Sequence, residues 1–310
     1  MDRLLAPAIA ATSLLVLSLL LFGCAASPGA RARQLERHSR QAVVELEKKA
    51  DADSLAAAGL LLRGDRERSL ALVIKATEAA PLRADLVWLE AQVCQEVATC
   101  NPEPTERRLR RLDSANGAGW LGALIRASGS NDFVARDDAL AAISHSDRVD
   151  VYWTTLIARL SRAAARTGAM TLQEAQVAVI GSLAGRGIPA YSAASNACKG
   201  GRLRRSEVVE TCRGVAKAFE RGDIFITEMI GVAIAKRVWP ENSPGWKAAA
   251  EARRVYEYRS RLRRTLDTGR WDSPVAAARF LALCEQDRRE QDVLLTQLIE
   301  AGADPNPPSE

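Results

Sequence analysis

Three features of the 310-residue sequence predict an all-α fold. Alanine, leucine and arginine are abundant and aromatic residues make up only 5%, a composition typical of helical proteins. Apolar residues recur three or four positions apart, which is the spacing of one helix face. One such stripe comprises Val208, Cys212, Val215 and Phe219. Glycine or proline separates these stretches, and runs of β-branched residues are few.

Residues 1–23 have the features of a cleavable export signal. Arg3 and the amino terminus give a short positive start, and residues 4–22 are almost wholly apolar and carry no charge. A stretch of this length also suits a transmembrane helix, so an uncleaved signal anchor is the alternative. A signal peptide takes no part in the fold of the mature protein.

Residues 21–24, Leu-Phe-Gly-Cys, resemble the lipobox of bacterial lipoproteins. The resemblance implies that Cys24 carries fatty acyl chains such as palmitate and becomes the first residue after cleavage. Ala25 in the next position implies sorting to the outer membrane, with the body facing the periplasm. Phe22 departs from the pattern, since that position is usually small. Several acyl chains on one residue anchor a protein stably.

Next to the signal, residues 24–33 are predicted to be a lipidated flexible tether. They contain Pro28 and Gly29 and few bulky apolar side chains. Helical spacing and many charges follow over residues 34–50, which predicts a first helix.

Tryptophan recurs at a fixed interval in the part of the chain that follows. Trp88, Trp120 and Trp153 are 32 and 33 positions apart, and a period in this range is typical of helical repeats. We interpret these side chains as core wedges between stacked helices rather than as platforms for a ligand.

Residues 54–94 resemble a tetratricopeptide repeat (TPR). Gly64 and Asp65 form the expected turn between two helices, because glycine ends a helix readily and aspartate caps the next one. Ala76 is small where two helices would cross, and Pro81 precedes the next unit.

The TPR resemblance covers residues 54 to about 165 and implies a solenoid of helical hairpins over residues 34–165. Ser69 stands where the family usually has alanine, and Ala57 where it usually has glycine. A solenoid of this kind presents a concave surface that binds peptides or proteins.

Residues 166–303 show helical patterning without a period, which predicts a non-repetitive helical bundle. Within it, residues 224–239 form an apolar stretch too short and too charged for a membrane span. One long charged helix is expected over 243–267 and a last helix over 274–301. The tail 304–310 contains three prolines and is predicted to be disordered.

Five cysteines remain after the acylated one, and an exported compartment favours their oxidation. Proximity in the sequence suggests the pairs Cys94–Cys100 and Cys198–Cys212, leaving Cys284 outside both. Sequence alone does not determine the connectivity. Neither pair has the CxxC spacing of a zinc site, so no metal and no cofactor are expected.

None of the motifs HExxH, GxSxG and GxxxxGK occurs. Of the two histidines, His38 is expected to be exposed to solvent, and His145 is expected to have a cationic or capping role at a helix end. The net charge of +5 is mild, and an exported protein rarely meets nucleic acid, so no nucleic-acid partner is expected. Basic clusters at residues 106–112, 202–205 and 253–264 are interpreted mainly as solvated helix faces.

The sequence therefore favours a lipid-anchored cell-envelope protein that is not an enzyme. We expect it to recruit or scaffold another envelope protein through the concave face of residues 54–165, an inference from fold analogy. One alternative is an envelope enzyme acting on cell wall or lipid without a known motif. Another is a structural component whose basic faces contact lipid headgroups or wall polymer.

Overall fold

The computed structural model describes residues 28–186, 191–265 and 273–308. The predicted signal and the acylation site Cys24 lie outside these ranges. The fold is all-helical over the described residues, as predicted, with fifteen α-helices, two short 3₁₀ helices and a single isolated β-bridge between Asn116 and Arg148.

The helices of the first half are α1 Pro28–Glu47, α2 Ala52–Leu61, α3 Arg66–Ala79, α4 Ala84–Cys94, α5 Glu103–Leu112, α6 Leu121–Gly129, α7 Phe133–Ser144 and α8 Trp153–Ala165. The later helices are α9 Leu172–Arg186, α10 Ser192–Ala197, α11 Ser206–Glu220, α12 Phe225–Val238, α13 Pro244–Thr265, α14 Pro274–Gln286 and α15 Glu290–Glu300. The 3₁₀ helices are Gly117–Trp120 and Gly200–Arg204.

The predicted Gly-Asp turn lies between α2 and α3. Gly64 has a φ of 86°, a left-handed conformation that glycine adopts without strain. The carboxylate of Asp65 accepts the backbone N–H of Arg68 at 2.9 Å and so caps the start of α3. Local sequence signals therefore set this helix boundary.

Helices α2 and α3 cross very closely at Gly59. A Cβ atom at this position would lie 2.6 Å from the Cγ2 of Val73 and 2.8 Å from the carbonyl oxygen of Ser69. The Ser69 hydroxyl also donates to the Gly59 carbonyl at 2.6 Å. Ala76, to which the sequence assigned the close crossing, is fully buried, but glycine is required at position 59.

Helices adjacent in sequence pack on one another from α2 through α5, and α6 packs on α7. Helix α8, by contrast, packs against α2, α9 and α14. The residues from Ser39 onward form one compact unit. That unit continues across the predicted border at residue 165, because α8 and α9 contact each other.

The predicted last helix over residues 274–301 is interrupted between α14 and α15. The break exposes the carbonyl of Arg288, which accepts the Thr154 hydroxyl at 2.9 Å. The Arg289 guanidinium donates to the carbonyl of Gly222 at 3.2 Å. Long-range hydrogen bonds thus stabilise a break that local periodicity does not indicate.

Both ends of the described chain differ from expectation. Helix α1 begins at Pro28, six residues before the predicted Gln34, and proline suits a first helical turn. Residues 304–308, predicted to be disordered, lie along α13. Arg259 there donates to the carbonyl of Pro305 at 3.2 Å, and Arg254 to that of Pro308 at 2.9 Å.

Candidate functional site

A cleft of about 730 Å³ is bordered by residues of α2, α8 and α14 and by the ends of α4 and α5. Six arginines and five acidic residues line it. They are Arg83, Arg148, Arg159, Arg162, Arg166 and Arg288, with Asp53, Asp85, Asp113, Asp150 and Glu285. Most of these residues fall within the predicted repeat region 34–165. The other three are Arg166, Glu285 of α14 and Arg288, which lies in the break between α14 and α15.

Helix α8 and its C-terminal flank supply a row of three arginines to one wall. Arg159, Arg162 and Arg166 are three and four positions apart, so they share one face. Their backbone positions are fixed because the opposite side of α8 is buried, with Leu156, Leu160 and other apolar residues inside. The cleft therefore has a rigid basic wall.

At the start of α4, Arg83 borders the cleft and is held between two carboxylates. It donates to Asp53 at 2.9 Å and to Asp85 at 2.8 Å. Burial lowers the pKa of the Arg83 guanidinium, but hydrogen bonds and charge from Asp85 and Asp53 outweigh burial and raise it. Asp53 and Asp85 therefore share one guanidinium group within the wall.

A second arginine, Arg148, lies among Asp113, Asp150 and Tyr152, the residues that form the floor of the cleft. Arg148 donates to Asp113 at 2.7 Å and lies 3.6 Å from the Oδ2 of Asp150. The Tyr152 hydroxyl donates to Asp113 at 2.8 Å. Burial and the nearby Asp113 carboxylate raise the pKa of Tyr152, so its hydroxyl keeps its proton and acts as a donor.

Asn116, which lies between α5 and the 3₁₀ helix Gly117–Trp120, makes hydrogen bonds with this floor. Its Oδ1 accepts the backbone N–H of Asp150 at 2.9 Å, and its Nδ2 donates to the carbonyl of the same residue at 2.8 Å. Tyr152 has a φ of 59°, which costs energy for a bulky residue. The paired hydrogen bonds from Asn116 help to hold that conformation.

Beneath the floor, the carboxylate of Asp223 is fully buried beside Asp150. It accepts the backbone N–H of Val151 at 2.9 Å and that of Trp153 at 2.7 Å. Burial, followed by the charge of Asp150, raises the pKa of Asp223 well above its usual value. Asp223 therefore anchors the start of α8.

Several cations of the cleft are less constrained than Arg83 and Arg148. Among the described residues, Arg166 and Arg288 are exposed and have no ion-pair partner within 4 Å. Arg159 approaches Asp53 only at 3.8 Å, and the partly exposed Arg162 makes a two-point contact with Glu285 at 2.7 and 3.0 Å. The cleft thus offers guanidinium groups to an anion.

The disulfides that the sequence suggested are present. Cys94 is joined to Cys100 and Cys198 to Cys212, with sulfur–sulfur distances of 2.06 and 2.05 Å. Cys284 is buried, belongs to neither pair and borders the cleft. None of the disulfide cysteines lines the cleft.

The basic clusters noted in the sequence are largely engaged in contacts within the chain. Arg110 stacks on Trp120 at 4.1 Å, Arg202 binds Asp137 at 2.6 Å, and Arg253 pairs with Glu257 at 2.8 Å. The cleft arginines were missed because they come from separate segments. Only the 159-162-166 spacing was visible in the sequence.

Comparisons with known proteins found no matching family model, no matching curated protein and no matching solved structure. Within the described ranges, no group of three or more histidine, cysteine, aspartate and glutamate side chains is arranged to hold a metal ion. None of the helices in those ranges has both the length and the apolarity to cross a bilayer.

Proposed function

We propose that this chain is a lipid-anchored, non-enzymatic protein of the cell envelope that binds another envelope protein through the arginine-lined cleft. In this proposal, Cys24 of the lipobox carries the lipid anchor, and Ala25 directs the protein to the outer membrane with its body facing the periplasm. The arrangement of the cleft carries the proposal, because rigid helices present exposed arginines in a concavity that can receive a segment of a partner.

We also propose that the helices that border the cleft are arranged as TPR-like hairpins. Pairwise packing of α2 with α3, α3 with α4 and α4 with α5 supports helical hairpins, and the cleft lies among the residues assigned to a concave face. The contact of α8 with α2 would close the series, so that the partner meets a bounded cleft rather than an open groove.

Site-specific photo-cross-linking in the native host tests this function. A photoreactive amino acid replaces Leu82, which borders the cleft and is 82% exposed, in the full-length protein. The matched control carries the same group at Val275, which is 79% exposed and does not line the cleft. A stoichiometric protein adduct at position 82 and not at 275 is expected. Adducts with lipid or wall material alone would overturn the proposal.

The anchor is tested separately with Cys24→Ser. The wild-type protein should incorporate radiolabelled palmitate and fractionate with the outer membrane, whereas the variant should incorporate none. Equal labelling of both proteins would contradict acylation at Cys24. An unlabelled wild-type protein that stays in the inner membrane would indicate the signal-anchor alternative.

A further inference from the structure

We propose that the segment bound in the cleft is an acidic peptide stretch, whose carboxylates contact Arg159, Arg166 and Arg288 and whose apolar side chain packs on Leu82. This inference rests on the proposed function, because it specifies the chemistry of the partner that the same cleft would receive. It follows from which charges in the cleft are held by hydrogen bonds and which are not. Among the described residues, Arg166 and Arg288 have no ion-pair partner within 4 Å, and Arg159 approaches Asp53 only at 3.8 Å.

The acidic side chains of the walls and floor are engaged with two half-buried arginines, each of which is shared by two carboxylates. Arg83 binds Asp53 and Asp85 at hydrogen-bond distance, and Arg148 is close to Asp113 and Asp150. A cationic ligand would have to break these contacts, at least one member of which is buried in each set. An anionic ligand would not. The charged lining residues outside these two sets are four arginines and Glu285, so this part of the cleft is net positive and favours an anionic ligand.

The exposed cations are spaced to suit a chain of carboxylates. Positions 159 and 166 are seven residues apart on one helix face, or about 10 Å at the helical rise. In a peptide with the polyproline II conformation, which has three residues per turn and a rise of about 3.1 Å, side chains three positions apart share one face and are separated by about 9 Å. Two acidic residues separated by two others could therefore reach Arg159 and Arg166 together, each in a bidentate contact.

Arg162 and Glu285 provide a contact that a ligand can replace. Their ion pair is open to solvent on both sides, with side-chain exposures of 37% and 48%. Exposed pairs of this kind contribute little to stability. A carboxylate of the ligand can exchange with Glu285 on Arg162 without a large loss. Leu82 at the rim then offers an apolar contact to a neighbouring side chain.

Fluorescence anisotropy with the full-length lipidated protein in non-ionic detergent tests the proposal. The probe is a fluorescein-labelled hexapeptide, Glu-Leu-Glu-Glu-Leu-Glu, and its matched control has glutamine at every glutamate position. Binding of the acidic peptide that weakens with added salt is expected. No binding, or equal binding of the glutamine peptide, would overturn the inference.

Charge reversal locates the binding site. The double variant Arg166→Glu with Arg288→Glu should weaken binding of the acidic peptide about tenfold or more. The control reverses Arg261 and Arg264, two exposed arginines of α13 that do not line the cleft, and should leave binding unchanged. Both variants should unfold at the same urea concentration as the wild type, since all four side chains are exposed. Equal loss in both variants would overturn the proposal.

Two further measurements test the inference. Competition by phosphate distinguishes an acidic-peptide site from a general anion site, and cross-linking of the arginine variant tests whether a protein partner uses these arginines. Full displacement of the peptide by millimolar inorganic phosphate would identify a general anion site and overturn the inference. In the cross-linking experiment, a protein adduct at position 82 that persists in the Arg166 and Arg288 variant would also overturn it, while the proposed function would stand. Absence of any protein adduct would instead overturn the proposed function.

Discussion

The carboxylate of Asp223 accepts the backbone N–H of Trp153 at 2.7 Å, across 70 positions of the chain. Trp153 is the first residue of α8, and the residue before it, Tyr152, makes no capping hydrogen bond with its own side chain. A side chain from the α11–α12 junction therefore caps α8. The orientation of the arginine row in the cleft depends on this distant carboxylate.

Replacing Asp223 with alanine should destabilise the fold more than the loss of an exposed cap. Two backbone N–H groups would lose their acceptor in a buried site, at a cost of about 2–3 kcal/mol in the free energy of unfolding. Asp65→Ala, which removes the exposed cap of α3, should cost about 1 kcal/mol. Urea unfolding curves measure both, and equal losses would show that Asp223 is not a buried cap.

The Asp150–Asp223 pair predicts a specific dependence of stability on pH. Burial and the Asp150 charge raise the folded-state pKa of Asp223 above its ordinary 3.8. Its stabilising contribution is therefore complete below that value and is lost as pH rises through the folded-state pKa. Asp150→Asn removes one cause of the shift, so stability should fall less steeply above about pH 4.

The control for this measurement is Asp147→Asn, which changes an exposed carboxyl in the same loop. Its unfolding free energy should follow the wild-type pH dependence. If the Asp150→Asn protein follows the same curve as the wild type, the two carboxyls do not interact as the geometry indicates.

The two disulfides should contribute unequally to stability. On the chain-entropy model, the Cys198–Cys212 bridge, with a separation of 14 residues, contributes about 3 kcal/mol. The Cys94–Cys100 bridge, with a separation of six, contributes about 2 kcal/mol on the same model. Thermal unfolding of the two double-alanine variants compares them. A larger loss from the shorter loop would mean that native contacts outweigh loop entropy.

Two glycine substitutions should have opposite effects. Gly59→Ala places a methyl group against Val73 and the Ser69 carbonyl, and overpacking of this kind costs about 1–3 kcal/mol. Gly181→Ala lies in α9 with nothing near its added Cβ, so it should stabilise the protein by about 0.5–1 kcal/mol. Urea midpoints measure both. Similar shifts in the same direction would refute the close crossing of α2 and α3.

Much of the helical framework was predictable because its signals are local. The Gly64–Asp65 turn, the caps and the apolar spacing act within a few residues of one another. Proximity alone suggested both disulfides correctly. The break between α14 and α15 was not predictable, since it depends on a hydrogen bond between Thr154 and Arg288 across 134 positions.

The sequence by itself determined that the described chain is helical and set several helix boundaries, among them the Gly64–Asp65 turn, because hydrogen bonds and side-chain spacing within a helix are short-range. Only the tertiary structure decided that Arg83, Arg159 and Arg288 line one cleft. They come from distant segments, and their meeting depends on the packing of α8 against α2 and α14. The hydrophobic spacing within each segment does not indicate which distant segments pack together, because that spacing depends only on residues a few positions apart.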